Sequence, residues 1–252
     1  MFAVIDIETV PDVQRWTPPA DTPDVFPPVW AHRIVCIGLL VLDNDYQLVS
    51  LDAMTEGAGL GDLFARGNGD ADSRERDLLL GFSRRITKLA TTGITIVTYN
   101  GRTFDIPAIV HRCLAHTVPL PWLWRVRGML YRYDENGHID VADLLTNFGA
   151  SKMHSLDAIA KLVGLPGKVG VDGKQVADLY ARGQLTAIAN YCCADVVQTA
   201  FVLLRLRMIQ SESQLILDGY RRNADALRSA LMRDARLAEM WAGEQAAPEQ
   251  VA

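Results

Sequence analysis

Apolar residues recur along this chain with two periods, and the points where the period changes divide it into elements. Phe2-Ala3-Val4-Ile5-Asp6-Ile7-Glu8-Thr9-Val10 is almost continuously apolar and rich in β-branched side chains. That is how a central strand covered on both faces reads. Residues 34–42 read the same way, and Asp43-Asn44-Asp45 turns the chain into a third strand at 46–51, completing a β-meander. Residues 94–99 predict a short fourth strand and 138–141 an edge strand. Elsewhere the period lengthens to that of a helix. Leu78, Leu79, Phe82, Ile86 and Leu89 mark a helix over 73–92, capped by Ser73 and stopped by Gly93. Residues 106–116 carry Pro107 in a first helical turn. Short helices are predicted at 143–148, at 156–163 between Ser155 and Gly164, and at 175–182. A long apolar helix follows at 185–210, then a more polar one at about 223–241.

The connections differ in kind. Residues 11–31 hold six prolines (Pro11, Pro18, Pro19, Pro23, Pro27, Pro28), too dense for regular structure, together with Trp16 and Trp30. They predict a long loop beside the first strand's carboxyl end. Residues 55–72, rich in Gly, Asp and Ala, are expected to be mobile. Residues 117–137, with Trp122 and Trp124, are expected to be irregular, 169–172 to be a Gly-flanked connector, and 243–252 a frayed tail. Strands and helices in this order predict an α/β fold: a mixed five-stranded sheet, a β-meander and then β-α units, with helices on both faces.

Charge changes this picture at three places. Asp6 and Glu8 are two apart in a strand, so both leave the same face. Two acids together on a buried face repel each other and lose hydration. An edge strand with solvated acids, or a capping Asp, would avoid the conflict, but this strand is too apolar for an edge. A divalent cation held by oxygen ligands resolves it. Asp105 lies where a strand and loop turn into a helix, where it either caps the helix or joins a site at the strand's carboxyl end. Tyr191 and Asp195 are four apart on the long helix and share a face. An Asp in the middle of an apolar helix is unfavourable unless it is solvated or partnered. Asp143 reads as a helix cap, and Asp140 either as a cap or as a further acid near the site.

Composition sets outer bounds. The 252 residues allow one large domain, or a domain with an appendage. No apolar run reaches the length needed to span a bilayer, and Met1 leads straight into the first strand, so neither a membrane association nor a targeting peptide is expected. Cys36, Cys113, Cys192 and Cys193 contain no C-x-x-C pair, and the five histidines show no metal-ligand spacing. Reduced, buried thiols suit a cytoplasmic protein. A formal net charge of −5 argues against a broad nucleic-acid-binding surface and leaves room for a small footprint.

Asp6-Ile7-Glu8-Thr9, then Tyr99-Asn100-Gly101-Arg102-Thr103-Phe104-Asp105, then Tyr191-x-x-x-Asp195 resemble, in order and each on its expected element, the three motifs of the DEDD-superfamily 3′–5′ exonucleases. The pattern is closest to the proofreading exonuclease domain of family-B DNA polymerases and to stand-alone bacterial predicted family-B-like exonucleases. Asn190 stands where the histidine subtype has His, and Tyr191 one residue later places the chain in the tyrosine subtype. The resemblance runs from residue 1 to about 210, so residues 1–210 are expected to form a ribonuclease H-like exonuclease domain and 211–252 a helical extension. It implies that Asp6, Glu8, Asp105 and Asp195 hold two divalent cations, Mg²⁺ or Mn²⁺. It further implies that Tyr191 orients the attacking water and that Thr9, Asn100 and Phe104 meet the terminal nucleotide. The implied activity is metal-dependent 3′–5′ hydrolysis of single-stranded or frayed DNA ends, in repair or end processing. RNA ends are the alternative substrate, and a catalytically silent nucleic-acid-binding module is the alternative function.

Overall fold

The computed structural model describes residues 1–23, 25–56, 70–168 and 175–245. Most of the stretch 55–72 expected to be mobile (57–69), the connector 169–172 and the end of the tail (246–252) lie outside the described residues, while Thr55 ends a strand and Asp70 caps a helix that starts at Ala71.

The sheet has the strand order β3-β2-β1-β4-β5. Strands β1 (Phe2–Pro11), β2 (His32–Leu42) and β3 (Leu48–Thr55) form the antiparallel meander, and β4 (Thr95–Thr98) and β5 (His138–Asp140) run parallel to β1. This is the mixed, ribonuclease H-like sheet that the pattern predicts, with β1 at its centre. Alternate residues of β1 serve two cores. Ala3, Ile5 and Ile7 pack with α1 (Ala71–Ala90), α2 (Asp105–His116) and α3 (Pro121–Arg125). Val4 faces the other way, with Leu40 and Leu42, towards α7 (Leu185–Ile209). Both faces are covered, which is why the strand carries no polar alternation.

Several element ends differ from expectation for local reasons. Asp70, not Ser73, caps α1: its carboxylate accepts the Ser73 N–H at 2.8 Å, so the helix starts at Ala71. The stretch after residue 117 contains α3, a single turn opened by Pro121. Asp140 caps α4 (Val141–Leu145), ahead of the predicted start. Two further short helices, α5 (Leu156–Leu162) and α6 (Val176–Ala181), fall where expected. The last predicted helix is two. Ser213 caps α8 (Gln214–Leu231), and the chain restarts after Asp234, whose carboxylate accepts the Arg236 N–H, into α9 (Ala238–Gln245). Leu227, Leu231, Leu237, Met240 and Trp241 from this region are buried in the same core as α7. Helix α7 is long and apolar enough to cross a membrane by length and composition, contrary to expectation. Its polar residues are spread singly and do not lower the average enough. In this fold 78% of its most apolar window is buried, as a core helix requires.

Candidate active site

The site begins on β1. Asp6 pairs with Gly38 of β2 and Glu8 with Cys36, and a bulge follows between Glu8 and Thr9. Bulges of this kind re-aim side chains at the ends of strands. Helix α7 crosses the face that Asp6 and Glu8 occupy. It sits close because position 38 has no side chain: a Cβ there would meet the Cys192 Sγ at 2.9 Å and the Cys192 carbonyl oxygen at 3.0 Å. Gly38 therefore sets the height of α7 above the acids. The ligand atoms of Asp6, Glu8 and Cys192 lie within 4.8 Å of one another, and the Cys192 thiol contacts the Asp6 carboxylate at 3.5 Å.

Asp105 and Asp195 flank this group. Glu8, Asp105 and Asp195 are buried and Asp6 is partly exposed. Burial pushes all four carboxyls up, and the neighbouring acids push further. Asp105 and Asp195 raise Asp6, and Asp6, Asp195 and Asp105 raise Glu8. Asp105 is pushed up to about 7, first by burial, against the backbone N–H groups of Asp105 and Ile7 that favour its charged form. Asp195 is pushed up to about 6 by burial and held down by its hydrogen bond with Tyr191 and by the charge of Lys168. The Tyr191 phenol is raised, by burial first and then by Asp195, Glu8 and Asp6, so it stays protonated and donates to Asp195. Asp6, Glu8, Asp105, Tyr191 and Asp195 are thus brought together. Hard carboxylate oxygens under mutual repulsion fit Mg²⁺ or Mn²⁺. The Cys192 thiol, raised by burial and hydrogen-bonded to Cys36, is a protonated neighbour.

The loop after β4 positions Asp105. Asn100 is in the left-handed region at φ 62°, and a Cβ on Gly101 would lie 2.5 Å from the Thr98 side chain, so Asn-Gly suits the turn. The Asp140 carboxylate accepts the N–H groups of Asn100 and Arg102, both at 2.8 Å, and those of Ala142 and Asp143. Asp140 is therefore the cap, and it also clamps the loop that leads into Asp105. Asp143, expected to cap, is instead paired with Arg132 at 2.6 Å and Arg102 at 3.4 Å. Asp105 does not cap with its side chain; Phe104 holds the capping position of α2 without a side-chain bond.

Thr9, Asn100 and Phe104 are each partly buried. The Asn100 side-chain oxygen accepts the Thr103 hydroxyl at 2.6 Å. Phe104 packs edge-on against His32 at 4.9 Å between ring centroids, and Phe26 lies 4.7 Å from His32. The His32 Nε2–H donates to the Pro27 carbonyl, so its Nδ1 accepts the Thr9 hydroxyl at 2.9 Å. Phe26, from the proline-rich loop, and His32 are thus aromatic neighbours of Phe104. Lys168 is a further residue that the motifs do not reveal. Its ammonium lies 5.7 Å from the Tyr191 ring centroid, on a loop tied by its N–H to Asp157. A single lysine in a Gly-rich loop carries no periodic signal.

Behind the site, Arg112 is 1% exposed between Glu75 and Asp12. Glu75 also accepts the Ile34 N–H at 2.8 Å and is paired with His116. This ion cluster ties α1, α2, β2 and the end of β1 together.

The sequence model of a family described as a predicted 3′–5′ exonuclease related to the exonuclease domain of PolB matches residues 24–245. Among solved structures, the family B DNA polymerase from the hyperthermophilic archaeon Pyrobaculum calidifontis shares the fold at a TM-score of 0.52 and 16% identity. The match covers 92% of this chain and 29% of the polymerase. A structure described as an ExoI/SSB-Ct complex is similar at a TM-score of 0.38 and 15% identity, over 86% of this chain and 42% of that one. No curated protein matches the chain. A ribonuclease H-like sheet with carboxylates gathered on its central strand and a family match over most of its length lead to one conclusion: the chain belongs to the family of predicted 3′–5′ exonucleases related to the PolB exonuclease domain.

Proposed function

We propose that the chain is a metal-dependent exonuclease that removes nucleotides from the 3′ end of single-stranded or frayed DNA. The observation that carries this reading is the convergence of four carboxyls and one phenol, from β1, the start of α2 and α7, at one buried place. Asp6, Glu8 and Asp195 would hold one Mg²⁺ or Mn²⁺, and Asp6 with Asp105 a second. Two such cations, when bound, activate a water and relieve charge on the leaving 3′-oxygen.

The remaining work falls to the chain's own groups. Tyr191 keeps its proton and orients the attacking water beside Asp195, because a phenol raised by burial and surrounding acids is no base at neutral pH. Lys168, already favouring the charged form of Asp195, brings a positive charge to the phosphate side of the cluster. Asn100 offers its amide N–H₂ to the terminal nucleotide, since its oxygen is held by Thr103. Phe104, backed by His32 and Phe26, packs against sugar or base. Thr9 holds the His32 ring in place.

The test is degradation of a 5′-labelled single-stranded DNA, the matched RNA and a blunt duplex, each with Mn²⁺ or with EDTA. Stepwise shortening of the single-stranded DNA with Mn²⁺ is expected, with blunt duplex cut at least about tenfold more slowly because its end must first be melted. Preferred shortening of the RNA would move the substrate to RNA. Cutting within a circular single strand would overturn the exonuclease reading.

A further inference from the structure

We infer that residues 124–133 form a track for the single-stranded nucleic acid that leads to the carboxylate cluster. This inference rests on the exonuclease reading above. The segment reads Trp-Arg-Val-Arg-Gly-Met-Leu-Tyr-Arg-Tyr, a concentration of arginine and aromatic residues in a chain of net charge −5. Trp124, Tyr131 and Tyr133 are each more than 70% exposed, and Arg125 and Arg127 of the same segment are exposed as well. Neither Arg125 nor Arg127 has an ion-pair partner among the described residues. Large aromatic side chains left in water next to unpaired guanidinium groups match a polyanion whose bases stack.

The segment is built, not loose. Its middle is anchored by Met129, buried in the core. A Cβ on Gly137 would lie 2.2 Å from the Met129 nitrogen, so the returning strand closes tightly on the turn. The Tyr131 N–H donates to the Gly128 carbonyl at 3.0 Å, and Arg132 is pinned to Asp143. The segment thus presents Tyr131 and Tyr133 from a fixed backbone, and Tyr133 rests edge-on against Phe148 at 4.7 Å.

A chain of contacts joins the segment to the site. Asp105 feels the charge of Asp140; Asp140 clamps the Arg102 N–H; Arg102 pairs with Asp143, and Asp143 with Arg132. These groups follow one another along the carboxyl ends of the parallel strands β4 and β5, from the cluster outwards to Tyr133. A strand with its 3′ end at Asp105 would find arginines and tyrosines along that edge.

Binding of 5′-fluorescein oligodeoxythymidine, read by anisotropy in Ca²⁺, tests the track. The wild type should bind an oligomer of about sixteen nucleotides at least about tenfold tighter than one of about four. The Tyr131→Ala/Tyr133→Ala variant should lose at least about fivefold in affinity for the longer oligomer and less than about twofold for the shorter. Arg125→Gln/Arg127→Gln, which leaves every tyrosine in place, should lower the salt slope of the longer oligomer by about 1.4, or about 0.7 for each phosphate contact. Equal affinities for the two lengths, or unchanged affinity in the tyrosine variant, would overturn the track and leave the patch to a protein partner. Release of nucleotides from the longer oligomer by the wild type in Mn²⁺ is measured alongside. Its absence would sink the nuclease reading, while the length dependence of binding decides the track by itself.

Discussion

A phenol that donates to a buried carboxylate orients its surroundings more readily than it accepts a proton. Tyr191→Phe keeps the ring, its contact with Lys168 and all four carboxyls, and removes only the hydroxyl bonded to Asp195. The rate of 3′-end release should fall about a hundredfold or more, within the range that positioned proton and water contacts supply. Mn²⁺ affinity should stay within about twofold of wild type, and equal loss of both would make the hydroxyl a metal-site group. The raised carboxyls give a second prediction at this scale. An acid whose folded value lies above its unfolded one stabilises the fold in its protonated form. That contribution is complete below the ordinary carboxylate range near pH 4 and is lost as pH rises through about 6 and 7, the values of Asp195 and Asp105. Cations compete with those protons. Mn²⁺ affinity measured by calorimetry should therefore climb more than about tenfold between about pH 5.5 and 7.5, whereas ordinary carboxylates would be flat there. Asp6 and Glu8 were legible in the sequence because a two-residue period puts both acids on one face of a strand too apolar to be an edge. Cys192 and Lys168 were not, because a thiol neighbour and a loop cation act through tertiary contact alone; Asp140 was legible as a cap, but its clamp on the Asn100 and Arg102 N–H groups was not.

At the scale of elements, the spacing between α7 and the sheet decides whether two separate motifs meet. Gly38→Ala places a methyl against the Cys192 carbonyl, which cannot rotate away, so α7 must lift. A loss of about 1–3 kcal/mol in chemical denaturation is expected, with a fall in activity beyond what that loss of folded protein explains. Full activity in a stable Gly38→Ala variant would show that the helix height is unimportant. The ion cluster under α1 and α2 yields a separate expectation. Arg112→Ala leaves Glu75 buried with its main cation gone and should cost about 3–5 kcal/mol, while Glu75→Gln with Arg112→Met should restore much of it. The strands and long helices were legible because their apolar periods are strong. The starts of α1, α4 and α8 were misplaced because the choice among nearby capping residues depends on which oxygen reaches which N–H, as Asp70 reaches Ser73.

At the scale of the whole molecule, the fold gathers three distant stretches near the carboxyl ends of parallel strands, where under the proposed function an acidic chain would have to grip a polyanion. Favourable contacts would then be few and local: the proposed cations, Lys168, and the arginines of the proposed track. Affinity for single-stranded DNA in Ca²⁺ should fall with salt by a slope equivalent to about two to five phosphates. A slope of six or more would require a broad basic surface that the described residues do not form. The order of elements and the central strand were readable from the sequence alone, since topology follows from which strands are apolar on both faces. The packing of α8 and α9 onto α7 was not, because a polar helix with a narrow apolar stripe gives no sign of its partner. The proposed activity depends on the carboxylates forming a cation site. Metal-stripped chain titrated with Mn²⁺ in a calorimeter at about pH 7.5 measures that directly. Saturable binding of about two ions per chain below about 1 mM is expected, reduced to one or none by Asp6→Asn, with a melting temperature that rises with Mn²⁺ in the wild type only. Binding that is absent at millimolar Mn²⁺, or that survives Asp6→Asn unchanged, would contradict it.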